Sequence, residues 1–387
     1  MSRHRTRTAA AAVLSLACLG LAACGGSSSA GNAAVAGTSG PGNDGVSAAA
    51  AAVAKYRPGA SSTDDIPAIK GVDQLKGKTV MYMPIALTVP FFQAAIHGLT
   101  DSLGVEGVTL QTCDAKANPS AAAACLDQAV KQHVGAVVTD SVPKAFAAQA
   151  FAALEAAHIP VVTVDNGEGT PSATQAYVGG PASTLGARLT SDWVIADSQG
   201  KADVLLLEII DSPASKGYVE EGALPEFKAK CSGCKVTVEK STTSDLQNVP
   251  SLISTALVRD PNISYVYAEF DIDVPAVVQG LQTGSAGSKV KVVSTTGVLT
   301  SLQLIASGQH QVADVAQNGY EEGWAAADQA FRLMLGQPAR TGVNDATRVF
   351  DKTNVGSLQL TAANAASGAF FGDASYRDKY LTAWGAK

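Results

Sequence analysis

Short apolar segments alternate with amphipathic ones from residue 78 onward, and this alternation limits the chain to a small group of folds. Between the first two apolar segments, Phe92, Leu99 and Leu103 fall on one face of a helix. Strand–helix–strand order produces parallel sheets with right-handed crossovers. The apolar segments predict strands over 79–84, 107–112, 134–139, 159–164, 203–209, 235–239, 264–269, 289–295 and 311–316. About 310 residues exceed what one such sheet usually holds, so we expect an α/β protein with two lobes.

The composition excludes several classes of function. The 387 residues include 28 Lys and Arg against 34 Asp and Glu, which gives a formal net charge of −6 without a basic stripe. We do not expect an acidic chain of this kind to bind nucleic acid. Six Cys and five His leave little material for a metal cluster, and we expect neither a metal nor a cofactor.

The N-terminal residues resemble the export signal of a bacterial lipoprotein. Basic residues precede an apolar run over 9–21, which is shorter than the roughly 20 residues that cross a bilayer. The run leads into Leu-Ala-Ala and then Cys24, which resembles a lipobox, whose cysteine is lipid-modified and becomes the new N-terminus. The resemblance implies a signal peptide over 1–23 and an extracytoplasmic protein held on the cell membrane by lipid at Cys24. An ordinary secretory signal followed by a chance cysteine is the alternative.

The segment after Cys24 has the composition of a linker. Residues 25–60 are rich in Gly, Ser, Ala and Asn and are almost uncharged. Such a composition is typical of flexible chains. We therefore predict a flexible, lipid-anchored tether over 24–76, with the folded body starting at residue 77.

Four cysteines remain in the body, and we expect them to form disulfides, because the protein is predicted to lie outside the cytoplasm. The expected pairs are Cys113–Cys125 and Cys231–Cys234. A redox dithiol at Cys231 and Cys234 is an alternative, although these residues lie between a helix and a strand rather than at the start of a helix. A zinc site built from the four thiolates is a further alternative.

The residues that follow the predicted strands are mostly hydrogen-bonding or aromatic. In doubly wound sheets, ligands sit beyond the carboxyl ends of the strands. The residues at these positions include no His, no Cys–His pair and no Ser beside a plausible base. Such a set suits the binding of a polar molecule better than its cleavage, so we predict no catalytic residue.

Five motifs in register make the body resemble a type I periplasmic binding protein of the ribose/galactose-binding class over roughly 78–355. They are Val89-Pro90-Phe91-Phe92, Asp114-Ala115-Lys116-Ala117-Asn118-Pro119, Val134-Gly135-Ala136-Val137-Val138, Ile159-Pro160-Val161-Val162-Thr163-Val164-Asp165 and Val312-Ala313-Asp314-Val315-Ala316-Gln317. The resemblance implies two doubly wound parallel-sheet lobes joined by a multi-segment hinge. The expected N-terminal lobe is 77–181 plus 318–342, and the expected C-terminal lobe with its tail is 182–317 plus 343–387.

The resemblance also implies a ligand site between the lobes. The implied ligand-binding residues are Phe91, Phe92, Asp165, Asn166, Tyr218, Phe270, Asp271, Thr296 and Gln317. Phe92 as a core residue and Asp165 as a helix cap are the alternatives for those two positions. Asn166 and Tyr218 stand where pentose binders usually have Arg, and Phe270 stands where Asn is usual. These differences predict a ligand that is less hydroxylated than ribose or partly apolar, such as a deoxy-sugar, a glycoside or a small aromatic molecule.

The function that the resemblance implies is solute binding for an ABC importer. A lipoprotein of this kind binds a sugar-like molecule, closes around it and delivers it to a membrane permease. A ligand-sensing co-receptor for a membrane kinase or chemoreceptor is one alternative. An extracytoplasmic enzyme is another, because Asp114, Asp140, Asp165 and Asp271 could supply paired carboxylates. We expect Glu220-Glu221 and Glu321-Glu322 to be solvated, and Tyr376, Tyr380 and Trp384 to lie on one short helix that docks on the body.

Overall fold

The computed structural model describes residues 41–59, 65–167, 169–212, 214–283, 285–344 and 346–387. The predicted signal peptide and the predicted lipidation site at Cys24 lie outside these residues. None of the helices in the described ranges combines the length and the apolarity needed to cross a bilayer.

Eleven strands and twelve α-helices make up the described body. The strands are β1 (Thr79–Pro84), β2 (Thr109–Thr112), β3 (Ala136–Asp140), β4 (Val161–Val164), β5 (Gln175–Val178), β6 (Asp203–Ile209), β7 (Lys235–Ser241), β8 (Tyr265–Ala268), β9 (Lys291–Thr296), β10 (Gln311–Gln317) and β11 (Thr347–Asp351). The helices are α1 (Pro41–Tyr56), α2 (Phe91–Val105), α3 (Pro119–Gln132), α4 (Ala148–Ala156), α5 (Gly180–Asp197), α6 (Leu224–Lys230), α7 (Val249–Arg259), α8 (Val274–Gln282), α9 (Leu299–Ser307), α10 (Gly319–Met334), α11 (Ala362–Ala366) and α12 (Tyr376–Trp384).

The strands form two sheets, one in each lobe. The first sheet has the order β2-β1-β3-β4-β5 and is parallel throughout. The second has the order β11-β10-β9-β8-β6-β7 and is parallel except for β11, which runs antiparallel to β10. All nine predicted strands are present, so the predicted α/β fold with two parallel-sheet lobes is confirmed. Strands β5 and β11 are not predicted by the sequence pattern, because their mixed polar and apolar residues hide it.

The core of the first lobe depends on close packing between α2 and α10. A Cβ atom at Gly98 would overlap the carbonyl group of Tyr320, and one at Gly323 would overlap the backbone at Ala95 and Leu99. Glycine at these two positions therefore lets the helix backbones touch. This contact holds α10, a helix that follows a strand of the second sheet, against the first lobe.

Both predicted disulfides are present. Cys113 and Cys125 connect the end of β2 to α3, with Cα atoms 5.8 Å apart. Cys231 and Cys234 close the turn between α6 and β7, with Cα atoms 5.3 Å apart. The disulfides therefore stabilise local segments and do not join the two lobes.

Part of the predicted flexible tether is a docked helix, which corrects the prediction over 24–76. Helix α1 packs through the buried Ala49 and Val53 into the core of the second lobe. Just beyond it, the guanidinium of Arg57 donates two hydrogen bonds to Asp351 at the end of β11, at 2.7 and 2.9 Å. The indole of Trp193 donates to the same carboxylate at 3.0 Å. These contacts make 41–57 an element of the second lobe.

The C-terminal helix lies on the first lobe, although its residues were expected in the second lobe. In α12, Tyr380 and Trp384 are buried against Trp324 of α10. The rings of Trp384 and Trp324 stack with centroids 5.6 Å apart. The backbone N–H of Ile69 donates to the carbonyl of Ala383 at 2.7 Å, so the segment around residue 69 also packs on this lobe. The predicted short helix that docks on the body is thus present, and its docking site is the first lobe.

Candidate functional site

The carboxyl ends of the two sheets face each other, because the crossovers between the lobes start and end there. Strand β5 ends at Val178, and α5 of the second lobe begins after the single residue Gly179. Strand β10 ends at Gln317, and α10 of the first lobe begins after the single residue Asn318. A third crossover joins α10 to β11. Residues beyond the strand ends of both lobes therefore border one cleft.

Phe91 and Phe92 lie at the start of α2, on the first-lobe side of this cleft. Both rings are buried, and they meet edge to face with centroids 5.7 Å apart. The ring of Phe91 also lies beside Gly319, the first residue of α10, where a Cβ atom would be 3.4 Å from the ring. Phe91 thus sits at a crossover, whereas Phe92 belongs to the buried face of its helix.

Asp165 and Asn166 follow β4 on the same side. Asp165 has a positive φ of 47°, and its side chain lies against Gly179 at the first crossover. The Nδ2 of Asn166 donates to the carbonyl of Val142 at 2.7 Å, which turns this amide toward the first lobe. The two neighbouring residues therefore face different surroundings.

A cluster of three acidic side chains surrounds the Asp165 carboxyl. One carboxyl oxygen each of Asp140, Asp165 and Glu322 lies within 4.8 Å of the others. Asp140 accepts a hydrogen bond from the Tyr82 hydroxyl at 2.6 Å. Burial raises the pKa of Asp140 to about 6, although hydrogen bonds from Tyr82, Ser141 and Glu322 oppose this effect. The same burial, together with the Asp140 charge, raises the pKa of Tyr82.

Among the described residues, this cluster is the group whose oxygen atoms are close enough to hold a metal ion. A bound proton reduces the negative charge of the cluster, as a bound cation would, and the raised pKa of Asp140 favours protonation of this carboxyl. Burial therefore favours the protonated form of Asp140 within this cluster.

Glu322 was not among the predicted site residues, and the prediction that Glu321 and Glu322 are solvated is wrong. Both side chains are fully buried, and Glu321 accepts a hydrogen bond from the backbone N–H of Ala346 at 3.1 Å. The signal was present in the sequence, because the acidic pair follows closely after Gln317, the end of a strand, and lies in the first turn of a helix with many apolar residues. Glu220 and Glu221 are exposed, as predicted.

Three predicted residues of the second lobe form one connected group, which we call the aromatic–amide group: Tyr218, Phe270 and Gln317. Tyr218 lies in a π-helical segment, Lys216–Ala223, that follows β6. Its ring meets that of Phe270 edge to face, with centroids 5.1 Å apart. Its hydroxyl donates to Oε1 of Gln317 at 2.6 Å. The structure thus brings together the ends of β6, β8 and β10 through side chains.

Asp271 and Thr296, the other predicted residues of the second lobe, form a separate buried group. The Asp271 carboxyl is almost fully buried and accepts hydrogen bonds from the Ser294 hydroxyl and from the backbone N–H of Val298. Thr296 and Asp314 also hydrogen-bond to it. Burial raises the pKa of Asp271, and burial beside the Asp271 charge raises the pKa of Asp314 well above its usual range. Asp271 therefore binds β9 and β10 together instead of facing open solvent.

Residues 80–338 match the family described as periplasmic binding protein domain. The chain belongs to this family. No curated protein matches the chain. The two lobes, the three crossovers and the facing strand ends are the type I periplasmic binding protein fold.

Solved structures of periplasmic binding proteins share this fold. An ABC sugar transporter subunit from Rhodobacter sphaeroides 2.4.1 is 20% identical, covers 72% of this chain and 100% of its own, and has a TM-score of 0.63. A solute-binding protein from Actinobacillus succinogenes 130z with bound D-allose is 19% identical over 73% of this chain and 100% of its own, with a TM-score of 0.64. The 5-methylthioribose transporter solute-binding protein from Thermotoga lettingae TMO is 16% identical over 81% of this chain and 98% of its own, with a TM-score of 0.67.

The buried carboxyls should make this periplasmic binding protein less stable as the pH rises. Asp140, with a pKa of about 6, keeps its proton in the folded chain at pH values where the unfolded chain, with an ordinary pKa of 3.8, has released it. The stability that this proton provides is complete below about pH 4 and is lost as the pH rises through about 6. Asp140→Asn replaces a neutral acid with a neutral amide. Between pH 5 and pH 8, the free energy of unfolding should fall in both proteins. The fall in Asp140→Asn should be smaller than that in the unaltered protein by roughly 1 kcal/mol.

Urea titrations at the two pH values measure this difference. The control is Asp127→Asn on the exposed face of α3, which should leave the pH dependence as it is. Burial also raises the pKa of Asp192 to about 6 and that of Asp273 to about 7, so a residual dependence of the same sign should remain in Asp140→Asn. An identical pH dependence with and without Asp140 would mean that this carboxyl is already ionised at pH 5.

Proposed function

We propose that the protein is the extracytoplasmic solute-binding lipoprotein of an ABC importer, which binds a sugar-like molecule in the cleft and delivers it to a membrane permease. The observation that carries the proposal is that strand ends of both lobes lie at the crossovers between them. Phe91 lies against Gly319 at one crossover, and the aromatic–amide group joins the ends of β6, β8 and β10 on the second lobe. Rings suit the apolar C–H face of a sugar, and an amide suits its oxygens. We assign the protein a binding role and no catalytic one.

The solved structures support a small, sugar-like ligand. Those with the same fold are described as complexes with D-allose and with 5-methylthioribose, and as an ABC sugar transporter subunit. The two disulfides support an oxidising compartment outside the cytoplasm. Together these findings favour transport of a small solute into the cell.

The test of the binding role is to identify what the protein holds. Mass spectrometry of the denatured, processed protein should reveal a co-purified small molecule, and adding that molecule back should raise the melting temperature by mass action. Recovery of the added molecule unchanged after prolonged incubation would agree with binding alone. Conversion of the molecule, or no shift with any sugar, polyol or glycoside, would contradict the proposal.

Lipid anchoring at Cys24 has its own test. Cys24→Ser removes the thiol that takes the lipid, so the protein should leave the membrane fraction and appear in soluble material after cell fractionation. The matched control is Cys18→Ser, which changes a cysteine inside the predicted signal peptide and should leave the protein on the membrane. Membrane retention of the Cys24→Ser protein would contradict the anchor.

A further inference from the structure

Of the two carboxylates that the resemblance places at the ligand, Asp271 is occupied by the protein's own groups. Asp271 is almost fully buried and accepts hydrogen bonds from Ser294 and Val298. The Oδ1 atom of Asp165 is buried beside Gly179, and one carboxyl oxygen of Asp165 belongs to the cluster with Asp140 and Glu322. Asp271 is therefore not arranged to accept hydrogen bonds from several ligand hydroxyls. One of the two carboxylates that would favour a free, highly hydroxylated sugar is thus withdrawn from the cleft.

The second-lobe wall of the cleft is aromatic where a polar wall would suit a free sugar. Phe270 is only partly buried, and its ring packs on the edge of Tyr218. The Tyr218 ring is almost fully buried and its hydroxyl donates to Gln317, so the exposed carbon of the aromatic–amide group comes from Phe270. An apolar surface in a cleft stabilises the apolar part of a ligand by removing both from water.

The amide of Gln317 supplies the polar contact. Its Oε1 accepts the Tyr218 hydroxyl, which fixes the orientation of the amide. Its Nε2 is buried, and it has no hydrogen-bond partner among the residues that the structure describes. A buried N–H group without an acceptor costs free energy, and an acceptor oxygen of the ligand would satisfy this atom.

We infer that the cleft binds a neutral sugar derivative that carries an apolar substituent, with the substituent against Phe270 and a ligand oxygen at Nε2 of Gln317. This inference rests on the proposed function and narrows its substrate class to alkyl, alkylthio or aryl derivatives. Tyr218 acts as a positioning residue, because it orients Gln317 and supports the ring of Phe270. Phe270 determines specificity.

The test compares matched ligand pairs by isothermal titration calorimetry: D-ribose with 5-methylthioribose, and D-galactose with phenyl β-D-galactoside. In at least one pair, the substituted member should bind about tenfold or more tightly than the free sugar, because its apolar atoms leave water. Phe270→Asn, which restores the residue usual at this position in the resembling class, should reduce that ratio about tenfold. Val258→Asn is the control, because it puts the same side chain on the exposed face of α7 and should leave the ratio unchanged.

Tyr218→Phe separates positioning from packing. It keeps the ring beside Phe270 and removes the hydroxyl that orients Gln317, so both members of a pair should lose affinity by a similar factor and their ratio should stay the same. Free sugars that bind as tightly as their substituted partners would overturn this inference and leave the proposed function standing. Binding of neither member of either pair would count against the inference and the proposed function together.

Discussion

Replacing Asp328 with alanine should lower the free energy of unfolding by about 3–5 kcal/mol, because it leaves buried donors without their acceptor. The Asp328 carboxylate is fully buried. It accepts hydrogen bonds from Arg332 at 2.9 Å and from the indole of Trp384 at 3.0 Å. Arg340 lies 3.5 Å from it. This carboxylate thus links α10, the C-terminal helix α12 and the crossover that leads to β11.

Urea unfolding followed by far-UV circular dichroism measures the effect without relying on tryptophan fluorescence. The matched control is Asp378→Ala, which removes an acidic side chain from α12 that pairs with Lys387 in solvent. Exposed pairs contribute little, so the control should change the free energy of unfolding by less than about 1 kcal/mol. Equal effects of the two substitutions would show that Asp328 does not hold α12 to the first lobe.

Asp351→Ala should detach α1 from the second lobe and cost about 2–4 kcal/mol of unfolding free energy. Its carboxylate accepts hydrogen bonds from Arg57, from the indole of Trp193 and from the backbone and hydroxyl of Thr353. The carbonyl of Arg57 in turn accepts from Arg348 at 3.0 Å. Loss of Asp351 therefore breaks the centre of the contact between residue 57 and β11.

Limited proteolysis reports this detachment directly, because backbone in a docked helix is protected and backbone in a loose linker is cut. The variant should be cleaved within 41–59 at protease concentrations that leave the unaltered protein intact. Lys352→Ala changes the exposed neighbouring residue and should leave both protection and stability unchanged. If 41–59 were cut equally fast in all three proteins, the originally predicted flexible tether would be the better description of this segment.

The hydrophobic periodicity of the sequence predicted the strands and helices of the body, because each strand and helix has its own local pattern of apolar residues. Helix α1 was missed for a local reason as well, since its Ala-rich sequence has the composition of a linker although Ala is the strongest helix former. The position of α12 could not be predicted in the same way. Its aromatic spacing predicts a helix, but the partner Trp324 is distant in the chain, and only the folded structure identifies it.

For the candidate site as well, the sequence predicted local features but did not predict contacts between distant segments. Topology placed Asp165 and Asp271 beyond strand ends, and the structure has them there. The side chains beside them come from other strands and helices, so the sequence did not reveal that Glu322 lies near Asp165 or that Ser294 donates to Asp271. The link from Tyr218 to Gln317 joins residues 99 positions apart and was equally hidden.

The docking of α12 beside the segment around residue 69 has a consequence for how the protein acquires its structure. The core of the first lobe combines residues near 69, residues of α10 and residues near 384. During synthesis, the early strands of this lobe lack core partners that emerge more than two hundred positions later in the chain. Pro67 and Arg332, which are hydrogen-bonded, are 265 residues apart. Contacts this distant in sequence make folding slow, because a large loop must close before they form. The core of the first lobe is therefore complete only after α12 has emerged.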